Sequence, residues 1–138
     1  MLFRFTIVLW ASIGVGLACD CVRLPVKEAK RGADVIFRGT VVAMRGSETR
    51  QPVATFKVVR VWKGDVTEIF EMPAIQEVYG CLGFGPTVEV GADLLIYAHR
   101  LVPSDPDYFP MTCQTELAAK AVDQIQRLGF GRKPKKSK

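Results

Sequence analysis

Two cysteines one residue apart, Cys19 and Cys21, close an apolar leader, and two more follow at Cys81 and Cys113. No other feature constrains the fold of this chain as strongly. Arg4 gives the leader a positive start, Phe5 to Leu17 is almost wholly apolar, and Gly16-Leu17-Ala18 puts small residues before a cut at Cys19. That is the pattern of a secretory signal peptide over residues 1–18. The apolar run is shorter than the ~20 residues a membrane span needs. No later stretch would span either, so no transmembrane anchor is expected. Secretion, to an extracellular or periplasmic space, puts the cysteines where thiols oxidise. An even count in a short exported chain reads as a disulfide framework. Zinc usually takes Cys-x₂-Cys pairs, and His99 is the only histidine, so the cysteines are not read as a metal site. Acylation of Cys19 would leave one of the other three thiols without a partner. Gly16 also stands where lipoprotein signals prefer Leu, and a free amine at Cys19 is therefore the expectation.

The formal charge of +5 misdescribes the domain. Removing Arg4 leaves +4. Arg132, Lys133, Lys135, Lys136 and Lys138 carry five positive charges with no acid among them, so residues 19–131 stand at −1. A basic run of this kind can meet nucleic acid, a membrane or an acidic polymer. Residues 132–138 are read here as a solvated, disordered tail.

Periodicity supplies the elements. Pro25 to Arg31 suits a short helix, with Pro at its first position and Gly32 as its stop. "ADVIFRGTVVAM" alternates as a strand with one polar-tinged face. "VATFKVVRVWKGD" is a second long strand, with Phe56 and Val58 on one face and Arg60 on the same phase. Either a bulge shifts the phase there or the far end is exposed. Lys63-Gly64-Asp65 makes a tight turn into a third strand, "VTEIFEMP". Residues 73–86 form a long loop around Tyr79-Gly80-Cys81. Thr87 to Val90 suits a short strand and Gly91-Ala92-Asp93 a turn. Leu94 to Ala98 is continuously apolar, hence a strand buried on both sides. Residues 102–110, with three prolines, read as irregular. A helix should start at Glu116 and Leu117 behind a Thr115 cap and end at Gly129, with Leu117, Ala121, Ile125 and Leu128 as its buried stripe. The sum is a mainly β domain over residues 19–131: a small closed barrel of four or five strands, with a short N-terminal helix and a C-terminal one.

Four cysteines allow three pairings. Joining Cys19 to Cys21 would close a strained, very small ring. Two pairings remain, Cys19–Cys81 with Cys21–Cys113 or the crossed version, and the residues alone leave both open.

The order of these pieces resembles the netrin-like module, in the branch shared by tissue inhibitors of metalloproteinases and small bacterial secreted proteins. The matching residues are "CDCVRLP" at a cleavage site, "ADVIFRGTVV", "FKVVRVWKG", Cys81 after a glycine, "GADLLIYA" and "TCQTELAAKAVDQIQRLG". Together they span residues 19–129. The resemblance implies a five-stranded barrel of the oligonucleotide/oligosaccharide-binding type, stapled by Cys19–Cys81 and Cys21–Cys113. It implies a metalloendopeptidase inhibitor, whose Cys19 amine and carbonyl chelate the zinc of a target protease. A catalytic zinc keeps a coordination position open, and an α-amine loses its proton easily beside a metal. A bridge at Cys19 would hold this end rigid and lower the ordering cost of binding. The implied contact ridge is Cys19, Asp20, Cys21 and Val22, with Tyr79 and Gly80 beside them. Asp20 departs from the pattern, because the inhibitors usually place a small uncharged Thr or Ser there, aimed into an apolar pocket. Burying an unpaired carboxylate is costly.

Other classes are less well supported. No Ser, Cys or His stands in a nucleophile setting, His99 at a strand end reads as structural, and no enzyme and no cofactor is expected. Barrels of this type also bind single-stranded nucleic acid through aromatics. Phe37, Phe56 and Phe70 read as core, Trp62 as core or edge, and nucleic acid is not expected as a partner. The alternative to inhibition is an extracellular protein-interaction or structural module that uses Cys19 only as a staple.

Overall fold

The structure, a computed structural model, describes residues 22–49, 51–75 and 83–138. Its two longest strands are the two that alternate most clearly. β1 (Val35–Arg45) and β2 (Val53–Lys63) pair antiparallel over nearly their whole length. The pairing skips one residue at Trp62, at Val59 and at Val42. Each skip is a bulge, which bends the strands and raises their twist. The bulge at Val59 explains Arg60: Phe56 and Val58 are buried before it, Val61 after it, and Arg60 is exposed. The phase therefore slips, and the strand does not end early.

β2 continues through Gly64 to β3 (Ile69–Pro73), shorter than the expected Val66–Pro73. β4 (Asp93–His99) lies on the other side of β1, and β5 (Phe109–Pro110) and β6 (Glu116–Leu117) share the outer edge of β4. The five-strand path runs β3-β2-β1-β4-β5, with neighbouring strands antiparallel. It is a curled half-barrel. Among the described residues β3 and β5 share no backbone pairing, so the expected closure is not seen as a ladder. Side chains do cross between the two ends: Tyr108, just before β5, packs on Phe70 of β3 with ring centres 5.7 Å apart.

Burial on two faces sets the core. Val35, Phe37, Val41, Phe56, Leu94 and Ile96 point into the half-barrel. Phe37 meets Phe56 and Phe70 edge-on at 5.6 and 5.2 Å. On the opposite face Ile36, Leu95 and Tyr97 are covered by two short helices, α1 (Val26–Gly32) and α2 (Val122–Leu128), with Ala29, Ala121 and Leu128 in contact. The continuous apolar run of β4 is thus buried on both sides, as expected. The expected strand at Thr87–Val90 does not form. The turn after it instead bonds β1, with Val41 donating to Ala92 and Gly91 donating to Val41.

Two corrections concern the segment after Cys113. Glu116 and Leu117 do not open a helix. They form β6 on Leu94 and Leu95, a 3-10 turn follows at Ala118–Lys120, and α2 begins only at Val122. Thr115 does not cap a helix either. β5 and β6 leave a gap opposite Tyr97, and the Thr115 hydroxyl fills it. It accepts from the Tyr97 N–H at 3.2 Å and donates to the Tyr97 carbonyl at 3.1 Å. Thr115→Val should strip both bonds from a buried strand and cost about 1–3 kcal/mol. A urea midpoint within experimental scatter of the parent would show that the hydroxyl is not needed there.

Residues 132–138, expected to be a solvated, disordered tail, are largely exposed and make backbone hydrogen bonds to β2 and the β2–β3 connection. Arg132 and Val61 exchange two backbone hydrogen bonds, at 2.7 and 2.8 Å. Lys135 donates to Val66 and accepts from Glu68, and the Ser137 hydroxyl accepts from Ile69 N–H. The β2–β3 connection has backbone groups with no ladder partner, and this strap satisfies them. Its charge is partly matched as well. Lys135 lies 2.6 Å from Asp65, and this hydrogen bond and charge hold the Asp65 carboxyl below its usual range. The Arg132 guanidinium donates to the Gly64 carbonyl.

Candidate functional site

The half-barrel leaves one apolar groove where several chain segments converge. β5 pairs with Ala98 and His99, so the chain after it turns back beneath the end of β4. Met111 N–H donates to Tyr97 O, and Gln114 and Thr115 N–H both return to Met111 O. This tight turn carries Cys113, which is disulfide-bonded.

Gln114 does the work of a missing strand. Its side chain is buried, with 2 % exposure. Oε1 accepts from Leu24 N–H at 3.0 Å, and Nε2 donates to Leu24 O at 3.2 Å. A primary amide presents one donor and one acceptor side by side, as a peptide group does. It therefore holds the 22–25 segment as a neighbouring strand would. Nε2 also lies 3.2 Å from Gln124 Oε1, which ties the clamp to α2. Arg23 points the other way and pairs with Glu116 at 2.8 Å. Alternate residues of an extended segment share a side. Val22 and Leu24 accordingly both line the groove, and Val22 is 71 % exposed. The other walls include Ile75, Leu101, Phe109 and Met111, around about 510 Å³. Beneath the clamp lies Tyr97, whose hydroxyl burial pushes up to about 12, with Gln114 and then Arg23 pulling the other way. It is a neutral phenol at any physiological pH.

The structure places the expected site residues as follows. Val22 is on the groove rim and Cys113 in its wall. Cys19, Asp20, Cys21, Tyr79, Gly80 and Cys81 lie outside the described residues. The groove does include the described neighbours of all of them: Val22 follows Cys21, and Ile75 and Gly83 flank residues 76–82. His99, expected to be structural, also lines the groove. Among the described residues no group of three or more His, Cys, Asp or Glu could hold a metal ion. No helix there is long and apolar enough to cross a membrane.

No protein-family model and no curated protein matches this chain.

A second hollow, of about 520 Å³, lies between the Gly91 turn and α2. Its one charged feature is a fork between Arg38 and Asp93, with contacts of 3.1 and 2.6 Å. The two charges neutralise each other and leave no nucleophile or base. The aromatics considered for base stacking are committed elsewhere. Phe37 and Phe56 are fully buried and Phe70 packs on Phe37. Trp62 is an edge residue whose indole N–H donates to Gly129 O at 2.8 Å. Gln114, Leu24 and Met111 were not singled out from the sequence. Gln114 directly follows Cys113, but the Leu24 backbone that it clamps is far away in the chain, which no local pattern reveals.

Proposed function

We propose that this chain is a secreted module of the metalloproteinase-inhibitor kind. In this reading the signal is cut before Cys19, and a barrel is stapled by Cys19–Cys81 and Cys21–Cys113. The Cys19 amine and carbonyl then chelate the zinc of a target protease. The observation that carries the reading is the convergence at the groove. Val22, the flanks of residues 76–82 and disulfide-bonded Cys113 line one hollow at one end of the half-barrel. An inhibitory ridge assembled from a chain start and a loop needs that meeting point. The Gln114 clamp on Leu24 supports it further, because it holds the backbone two residues from Val22 in place. A chain held in place has less freedom to lose on binding.

Asp20 sets which proteases are inhibited. In an apolar pocket its charge would weaken binding by a few kcal/mol unless the target supplies a cation. Weak inhibition of proteases with apolar pockets is the expected result, with a gain on Asp20→Thr. Acetylation of the Cys19 amine should abolish inhibition, since an amide nitrogen is a poor zinc ligand. The decisive measurement is zinc-protease inhibition by native, acetylated and Asp20→Thr protein, after mass spectrometry has established the mature N-terminus. Equal inhibition by acetylated and native protein would refute chelation. If none of the three inhibits, the chain is an extracellular interaction module. The apolar, exposed Val22 rim already favours that second reading over a purely structural staple.

A further inference from the structure

Phe130 stands at the tip of a bend that projects it into solvent, with 94 % of its surface exposed. The glycines on either side, Gly129 and Gly131, take φ of +83° and +63°, a region open chiefly to glycine. Both lie beside one side chain, that of Trp62. Gly129 O accepts from the Trp62 indole N–H at 2.8 Å. A Cβ on Gly131 would come within 2.9 Å of Trp62 Nε1 and 2.7 Å of Val61 O. The chain then passes at once into the Arg132–Val61 pair. The backbone on both sides of Phe130 is thus held against the end of β2, with the ring turned out to solvent.

Charge follows directly. Lys133, Lys136 and Lys138 are exposed, while Arg132 and Lys135 are occupied with Gly64 and Asp65. An extended chain covers at most ~3.6 Å per residue, so Lys133 lies within about 11 Å of Phe130. Arg127, in the last turn of α2, adds a further exposed cation.

We propose that this bend and strap form a docking site for a membrane surface of anionic lipid. Lysines attract acidic headgroups, and a presented aromatic ring enters the boundary between headgroups and acyl chains. Charge alone would suit any polyanion. The ring decides between them, because a soluble polyanion has no apolar layer to receive it. The site is separate from the groove, and its test does not depend on protease inhibition.

The test is co-sedimentation of the purified protein with vesicles of phosphatidylglycerol and phosphatidylcholine in equal parts, against phosphatidylcholine alone. Binding should require the anionic lipid and fall steeply as salt approaches about 1 M, where screening is nearly complete. Phe130→Ala should weaken it roughly five- to tenfold. Changing Lys133, Lys136 and Lys138 together to Gln should weaken it roughly a hundredfold. These side chains are exposed, so the melting temperature should not move. Phe130→Trp should show a blue shift in emission, beyond that of the parent, when anionic vesicles are added. Equal binding to both vesicle types, unchanged binding by Phe130→Ala, or no blue shift would each overturn the proposal. Binding to heparin but not to vesicles would overturn it in favour of a soluble polyanion.

Discussion

Replacing Cys113 with serine should cost the protein about 2–5 kcal/mol, the range for native disulfides of small secreted domains. The reasons are local as well as entropic. Cys113 sits in the turn between β5 and Thr115, and that turn holds both the Thr115 plug opposite Tyr97 and the Gln114 clamp on Leu24. Loosening it exposes the edge of β4 and frees the 22–25 segment together. If the bridge runs to Cys21, it also closes most of the folded chain into one loop, where the entropic benefit is greatest. Equilibrium unfolding of the Ser variant against the oxidised parent measures the effect, and non-reduced peptide mapping identifies the partner. Coincident unfolding curves would show that the bridge contributes nothing. A map joining Cys113 to Cys19 or Cys81 would redraw the proposed ridge.

A comparable loss should follow from Gly64→Ala. Gly64 has φ of +84°, and a Cβ there would sit 2.5 Å from Asp34 O and 2.6 Å from a Val35 methyl. Backbone strain and a clash with backbone add up, and neither is relieved by a side-chain rotation. The expected destabilisation is on the order of 3 kcal/mol. Gly91→Ala is the internal control. Gly91 has φ of +95° with nothing within 4 Å of its Cβ position, so it isolates the strain from the clash. If the two variants melt together, the close packing of the Lys63–Asp65 turn on the start of β1 is not a source of stability.

Much of the fold was legible where local pattern and tertiary role agree. Alternation located β1 and β2 to within a few residues, and the unbroken run Leu94–Ala98 announced a strand covered on both faces. Even the bulge left a trace, in the phase conflict at Arg60. Legibility failed where a distant partner decides. Thr115-Glu116-Leu117 looks like a helix start by its residue types, yet an open stretch of the β4 edge takes it as β6. Phe109–Pro110 lies in a proline-rich run that argues against a strand. As an edge strand it tolerates the missing N–H, and it pairs with the end of β4. The basic strap reads as a solvated, disordered tail, because Asp65 and the Gly64 carbonyl that receive two of its cations are far away in sequence. The site divides in the same way. Cys-x-Cys, on which the proposed chemistry rests, is visible in the sequence itself, whereas Gln114 gains its role only once Leu24 has been brought beside it.

The strand order has a kinetic consequence. β1 forms a hairpin with β2, but its other edge waits for β4, so Val35 meets Ala98 across more than half of the folded chain. Arg132 reaches Val61 over a similar span. Long loops must close before such contacts return any free energy, which makes folding slow, in the millisecond-to-second range typical of β topologies. While it proceeds, the end of β2 offers unpaired N–H and C=O groups, a template for a strand from another molecule. The strap that later covers this edge therefore does more than hold the native state: its arrival ends the interval in which the chain is most prone to aggregate.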